Sequence, residues 1–242
     1  MKNKPILIFV LLFSLLLYTG CGNTRTTEEE KTKPVASDVK TETIVSIPVT
    51  KLSDPGEAPD ETTLETLASS VLKLEVFDDK DTRTATGTGF VYGDPALLVT
   101  SAHVIINMDH LEATKDNGET FTVTAKAVYL DKDKDIAMFR LPEDISIPAL
   151  EAATDLPGRG TNVFTIGSQA GLTNLVTTGI VSGIWNDGSF DYLIFTAPVS
   201  GGNSGGPIFD SGGKLVGVVI GTYEKAQNLN IGLCAQELPE TE

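Results

Sequence analysis

From about position 63 onward, apolar residues come in short runs separated by Gly, Asp, Asn and Pro. Runs at Val71–Phe77, Gly87–Tyr92, Leu97–Thr100, Thr120–Leu130 and Ile136–Leu141 are β-rich and predict strands. A second set follows at Asn162–Ile166, Leu175–Ile184, Tyr192–Thr196, Pro207–Phe209, Leu215–Ile220 and Ile231–Ala235. Strands this short and closely spaced predict an all-β sandwich or a pair of barrels. Helical spacing is confined to Thr63–Ser70, where Leu64 and Leu67 share one face. Pro142, Pro148 and Pro157 break regular structure and separate a first half, about 71–150, from a second, about 155–238. No fixed-period repeat and no βαβ alternation is present.

The stretch before this pattern reads differently. Met1–Gly20 has a basic start (Lys2, Lys4) and an apolar run from Ile6 to Leu17. That run is well short of the ~20 residues of a spanning helix, and it fits the apolar part of an export signal. It ends in Tyr18-Thr19-Gly20-Cys21, which resembles a bacterial lipobox and makes Cys21 the expected lipidation site; simple secretion is the alternative. Residues 21–62 are rich in Thr, Glu, Lys, Pro and Ser, too polar to offset ordering entropy, and predict a disordered tether. The folded part is then 63–242.

Charge narrows the partners. The 242 residues carry a net charge of −15, which argues against nucleic acid, since phosphate binding needs a basic patch. With two cysteines and two histidines, a four-cysteine zinc site and a multi-disulfide framework are excluded. Cys234 is expected to be a small buried hydrophobe.

Candidate chemistry centres on Gly201-Gly202-Asn203-Ser204-Gly205-Gly206-Pro207. A glycine-flanked serine is either a turn between strands or a nucleophile beside backbone N–H groups. Thr100-Ser101-Ala102-His103-Val104 directly follows the apolar run Ala96–Val99, so His103 is either a packed histidine or a general base on a rigid support. His110, among Asp109, Glu112 and Lys115, reads as part of a solvated turn. Of the alternating carboxylates, Asp131 and Asp133 are expected to face water. Asp135, followed at once by Ile136-Ala137-Met138-Phe139, is the one expected against the core, where it could orient an imidazole.

Thr86-Gly87-Thr88-Gly89-Phe90, Leu97-Leu98-Val99-Thr100-Ser101-Ala102-His103-Val104, Asp135-Ile136-Ala137-Met138-Phe139-Arg140-Leu141 and Gly202-Asn203-Ser204-Gly205-Gly206-Pro207-Ile208 occur in this order. Together they resemble the trypsin-like serine proteases, specifically their HtrA/Deg branch. The resemblance implies two six-stranded Greek-key β-barrels with the site between them. It implies Ser204 as nucleophile, His103 as general base and then acid, and Asp135 as orienting carboxylate. The N–H groups of Gly202 and Ser204 would form the oxyanion hole, with no metal or organic cofactor. A substrate pocket walled by Thr196, Val199, Ser200, Val219, Ile220 and Gly221 would hold no acid, so a basic P1 residue is not expected and a small or medium apolar one is. Asn203 stands where digestive relatives carry an aspartate that pairs with a new N-terminus, so that activation route is not expected. Ser200-Gly201 replaces the Asn-Pro usual in HtrA proteins, and a chain ending at Glu242 is expected to lack their PDZ domain, which leaves oligomeric state open. The function implied is an exported, membrane-tethered endopeptidase acting on extracytoplasmic polypeptides, in HtrA-like quality control. A catalytically silent, protein-binding lipoprotein on the same scaffold is the alternative.

Overall fold

Strands β1 (Val71–Phe77), β2 (Arg83–Tyr92), β3 (Leu97–Ser101), β4 (His110–Thr114), β5 (Thr120–Val123), β6 (Tyr129–Asp131) and β7 (Ile136–Arg140) form one antiparallel sheet, ordered β5-β4-β1-β2-β3-β7-β6. Strands β8 (Asn162–Gly167), β9 (Leu175–Asn186), β10 (Asp191–Phe195), β11 (Pro207–Asp210), β12 (Leu215–Thr222) and β13 (Asn230–Cys234) close into a six-stranded barrel. The computed structural model describes residues 59–124, 126–223 and 226–241, all within the unit Ser53–Glu242. Cys21, the leader and nearly all of the tether lie outside the described residues. Among those described, no helix is long and apolar enough to cross a membrane.

The all-β, two-part architecture is as expected, and the first half differs in detail. It has seven strands and stays open, because β5 and β6 are sheet edges that do not pair with each other. The expected single strand Thr120–Leu130 is two short strands joined by residues 124–128. One strand has no counterpart in the sequence reading. His110 opens β4 rather than lying in a solvated turn, and its ring stacks on Phe77 with centroids 5.0 Å apart. The helix α1 (Glu61–Ala68) begins two residues before the expected start, because the Asp60 carboxylate accepts from Thr63 N at 2.8 Å and caps it.

Uninterrupted apolar runs arise because the central strands are buried on both faces. Side chains alternate across a strand, so Leu97, Val99, Ile136 and Met138 face a core shared with Phe164, Ile166, Phe209 and Leu233 of the barrel. Leu98, Ala137 and Phe139 face a second core inside the first sheet with Leu72, Leu74 and Val76. A third core, with Val163, Phe195, Ile208 and Cys234, fills the barrel. The shared core holds the two halves in a fixed relation, so the end of β3 meets the segment before β11.

Candidate active site

His103 sits on a 3-10 turn, Ala102–Ile105, that continues directly from the fully buried strand β3. Asp135 ends the turn between β6 and β7 with φ of 58°. Its carboxylate receives two bonds from His103: the backbone N–H reaches Oδ1 at 2.8 Å and Nδ1 lies 2.6 Å from Oδ2. Ala102 N also donates to the Asp135 carbonyl at 2.9 Å. A carboxylate only accepts, so this contact requires the proton on Nδ1 and leaves Nε2 of the neutral ring as an acceptor. The two side chains are 17% and 24% exposed, shielded yet reachable.

The turn carrying Asp135 is itself braced. Asp131 is half-buried rather than free in water, and its Oδ1 accepts from Lys134 N at 3.0 Å and Asp133 N at 2.9 Å. The bond from Lys134, aided by that from Asp133, outweighs burial and holds the Asp131 carboxyl below the usual range. Lys134 Nζ donates to the Glu237 carbonyl at 2.6 Å, tying the turn to the C-terminal segment.

Ser204 lies between two glycines in left-handed backbone, Gly202 at φ 101° and Gly205 at φ 83°. A Cβ on Gly202 would overlap the Ser168 carbonyl, and one on Gly205 would overlap Thr88 O and Thr100 Oγ1. Glycine is therefore required at both positions. Gly205 is thus pressed against the end of β3, close to His103. The carbonyls of Gly201 to Ser204 are each occupied: Gly201 O by Ala170 N (3.2 Å), Gly202 O by Thr88 Oγ1 (2.6 Å), Asn203 O by Gly206 N (2.9 Å) and Ser204 O by Thr88 N (2.9 Å). A trans peptide points its C=O and N–H in opposite directions. The Gly202 and Ser204 N–H groups are therefore turned away from Ala170 and Gly206, and neither has an acceptor among the described residues. The Ser204 hydroxyl is likewise without a hydrogen bond among them. Such contacts commonly tighten only around a substrate. Asn203 is 1% exposed, and its amide finds no protein partner among the described residues.

A cavity of about 260 Å³ opens beside the segment leading to Ser204, lined by Pro198 and Val199 on one side and by Thr222, Tyr223, Asn228 and Asn230 on the other. Of the residues expected to wall a pocket, only Val199 lines it. Val219 and Ile220 are buried in the cores, and Gly221 continues β12. Thr196 is bonded to Ile180 N at 2.9 Å, and Ser200 Oγ donates to Gln169 Oε1 at 3.2 Å. Asn230 was not singled out in the sequence. It is 4% exposed, and its Nδ2 donates to Ala197 O at 2.7 Å, which gives the cavity a fixed polar wall. Only the barrel closure brings it there. No cluster of three or more metal-ligating side chains occurs among the described residues.

Comparison with known proteins bears on the family and the fold. Residues 87–218 match the model of the trypsin-like peptidase domain. The chain is 34% identical over 171 residues to serine protease HTRA1A of Danio rerio, covering 64% of this chain and 35% of that one. It is 36% identical over 149 residues to the chloroplastic Protease Do-like 1 of Arabidopsis thaliana, covering 57% of this chain and 33% of the other. It thus spans about a third of the length of these curated relatives. Among solved structures, the active form of the Rv3671c protease from M. tuberculosis shares the fold, with a TM-score of 0.64 at 24% identity, covering 80% of this chain and 90% of that one. With the family's domain matched over more than half of its length, this chain belongs to the trypsin-like peptidases.

Proposed function

We propose that the chain is an HtrA-like serine endopeptidase cleaving polypeptides outside the cytoplasm. Ser204 Oγ attacks the scissile carbonyl carbon while His103 Nε2 takes its proton. The imidazolium that forms is stabilised by Asp135, which also fixes the tautomer. The carbonyl oxygen becomes an oxyanion held by the free N–H groups of Gly202 and Ser204. Collapse of the tetrahedral intermediate breaks the C–N bond as His103 returns the proton to the leaving amine, leaving an acyl-Ser204. Water, activated by the same Nε2, then releases the acid.

The observation that supports the reading is the 2.6 Å contact of His103 Nδ1 with Asp135, which leaves Nε2 available to accept a proton. Nothing specific in the site favours a catalytically silent scaffold. Ser204→Ala is expected to abolish casein hydrolysis and labelling by a fluorophosphonate, with an unchanged far-ultraviolet circular dichroism spectrum. Casein cleavage that survives this substitution overturns the assignment.

A further inference from the structure

The geometry points to Thr88, in the first sheet, as the residue that positions the oxyanion loop of the barrel; the inference rests on the peptidase reading above. Thr88 lies within β2 and is fully buried. A threonine there could fill space with its methyl group alone. Instead its polar atoms converge on the Ser204 loop and its support. The N–H donates to Ser204 O at 2.9 Å. The hydroxyl donates to Gly202 O at 2.6 Å and accepts from Ser168 N at 2.9 Å. The carbonyl accepts from Thr100 Oγ1 at 2.8 Å, which fixes Thr88 to β3, the strand that leads into the turn carrying His103.

The consequence follows from peptide planarity. Across Gly201 to Ser204 each carbonyl has one donor, and Thr88 supplies two of them, to Gly202 and to Ser204. The other two, Ala170 N and Gly206 N, come from the barrel's own segments. By planarity the bonds from Ala170 and Gly206 orient the Gly202 and Ser204 N–H groups directly, and the two from Thr88 fix the planes that alternate with them, those carrying the Asn203 and Gly205 N–H groups, so Thr88 acts on the hole by holding its neighbouring planes. Ser168 matters as well, because its carbonyl sits where a Cβ of Gly202 would be. One hydroxyl therefore spaces Gly202 from Ser168 and binds both. Thr88 touches no reacting atom; it acts through the loop, linking the half that carries the base to the half that carries the nucleophile.

Thr88→Ser, Thr88→Ala and Thr88→Val in the full chain test this. Ser and Ala both lose the methyl group and differ only in the hydroxyl, whereas Val keeps the shape and loses the hydroxyl. Losing one whole oxyanion donor costs about 10²- to 10³-fold in kcat. A loop loosened rather than stripped of a donor is expected to lose about 10- to 100-fold in kcat for Ala and Val, with KM changed less than about threefold. Binding of a leucine-boronate peptide, which forms a tetrahedral adduct, is expected to weaken in parallel, and Ser is expected to restore both quantities. The inference is overturned if Ala or Val stays within about twofold of Ser in kcat. It is also overturned if Ala and Val both fail to fold while Ser folds, since the hydroxyl is then a folding requirement. Persistence of hydrolysis in Ser204→Ala instead sinks the peptidase reading. Wild-type activity lost with Ser204→Ala but untouched by Thr88→Val sinks only the role of Thr88.

Discussion

Gly202→Ala and Gly201→Ala are neighbouring substitutions of identical chemistry that should have opposite outcomes. At Gly201 an added Cβ meets nothing within 4 Å and φ is not left-handed, so alanine fits as the chain stands. At Gly202, φ is 101° and the added Cβ overlaps the backbone carbonyl of Ser168, which cannot turn aside like a flexible side chain. Holding a non-glycine residue in left-handed backbone costs about 1–3 kcal/mol before the overlap is counted. The cheapest relief is rotation of the Gly201–Gly202 peptide. That breaks the bond from Ala170 N to Gly201 O and swings the Gly202 N–H out of the proposed oxyanion hole. Loss of one such donor corresponds to about 10²- to 10³-fold in kcat, or roughly 3–4 kcal/mol. We therefore expect Gly202→Ala to lose at least about 100-fold in kcat with KM little changed, and Gly201→Ala to stay within about threefold. The assay is steady-state cleavage of a fluorogenic peptide built on a casein site, with thermal melts confirming that both variants are folded. A folded Gly202→Ala protein within about fivefold of wild type would refute the placement of that N–H in the hole.

The two cysteines supply the remaining predictions. If Cys21 is the lipidation site, Cys21→Ser releases the protein from the membrane fraction and removes incorporation of labelled palmitate; unchanged labelling refutes the anchor. Cys234 is fully buried, and its thiol is pushed up to about 12, first by burial and then by the charges of Asp191 and Glu237. It therefore stays protonated and unreactive at pH 8 in the folded chain. Iodoacetamide should leave the Cys234 peptide unmodified in native protein and alkylate it in urea, as read by mass spectrometry. Rapid native labelling contradicts the packing of the barrel core.

What the sequence disclosed follows from which interactions are local. Strands β3 and β7 were legible because burial on both faces demands continuous apolar runs, and Leu97-Leu98-Val99 and Ile136-Ala137-Met138-Phe139 have few other readings. Strand β4 was not, because only Leu111 and Ala113 face inward while His110 and Glu112 between them give the local pattern of a polar turn. The His103–Asp135 pair could be proposed from order and spacing, but its geometry depends on β3 and β7 pairing from Ser101–Ile136 to Leu97–Arg140. The cavity was the least legible part. Its walls depend on where β12 ends and β13 begins, and the bulge between Val219 and Gly221 shifts that register beyond what local spacing reveals.

The departure at Ser200-Gly201 finds its physical account in the same long-range terms. Here the chain closes a turn, with Asn203 N donating to Ser200 O at 3.1 Å. The Ser200 hydroxyl reaches Gln169, and Ala170, itself in left-handed backbone at φ 50°, presents its N–H to Gly201 O. The turn after β8 thus braces one end of the loop and Thr88 the middle. An ion pair is not among these braces: Asn203 is uncharged and buried, so no ammonium is needed to neutralise it. With the carbonyls of Gly201 to Ser204 all bound within the described fold, the proposed oxyanion hole would have its N–H groups aimed before substrate arrives. Control of such a site would therefore act on the braces, the turn at 169–171 and Thr88, rather than on Asn203.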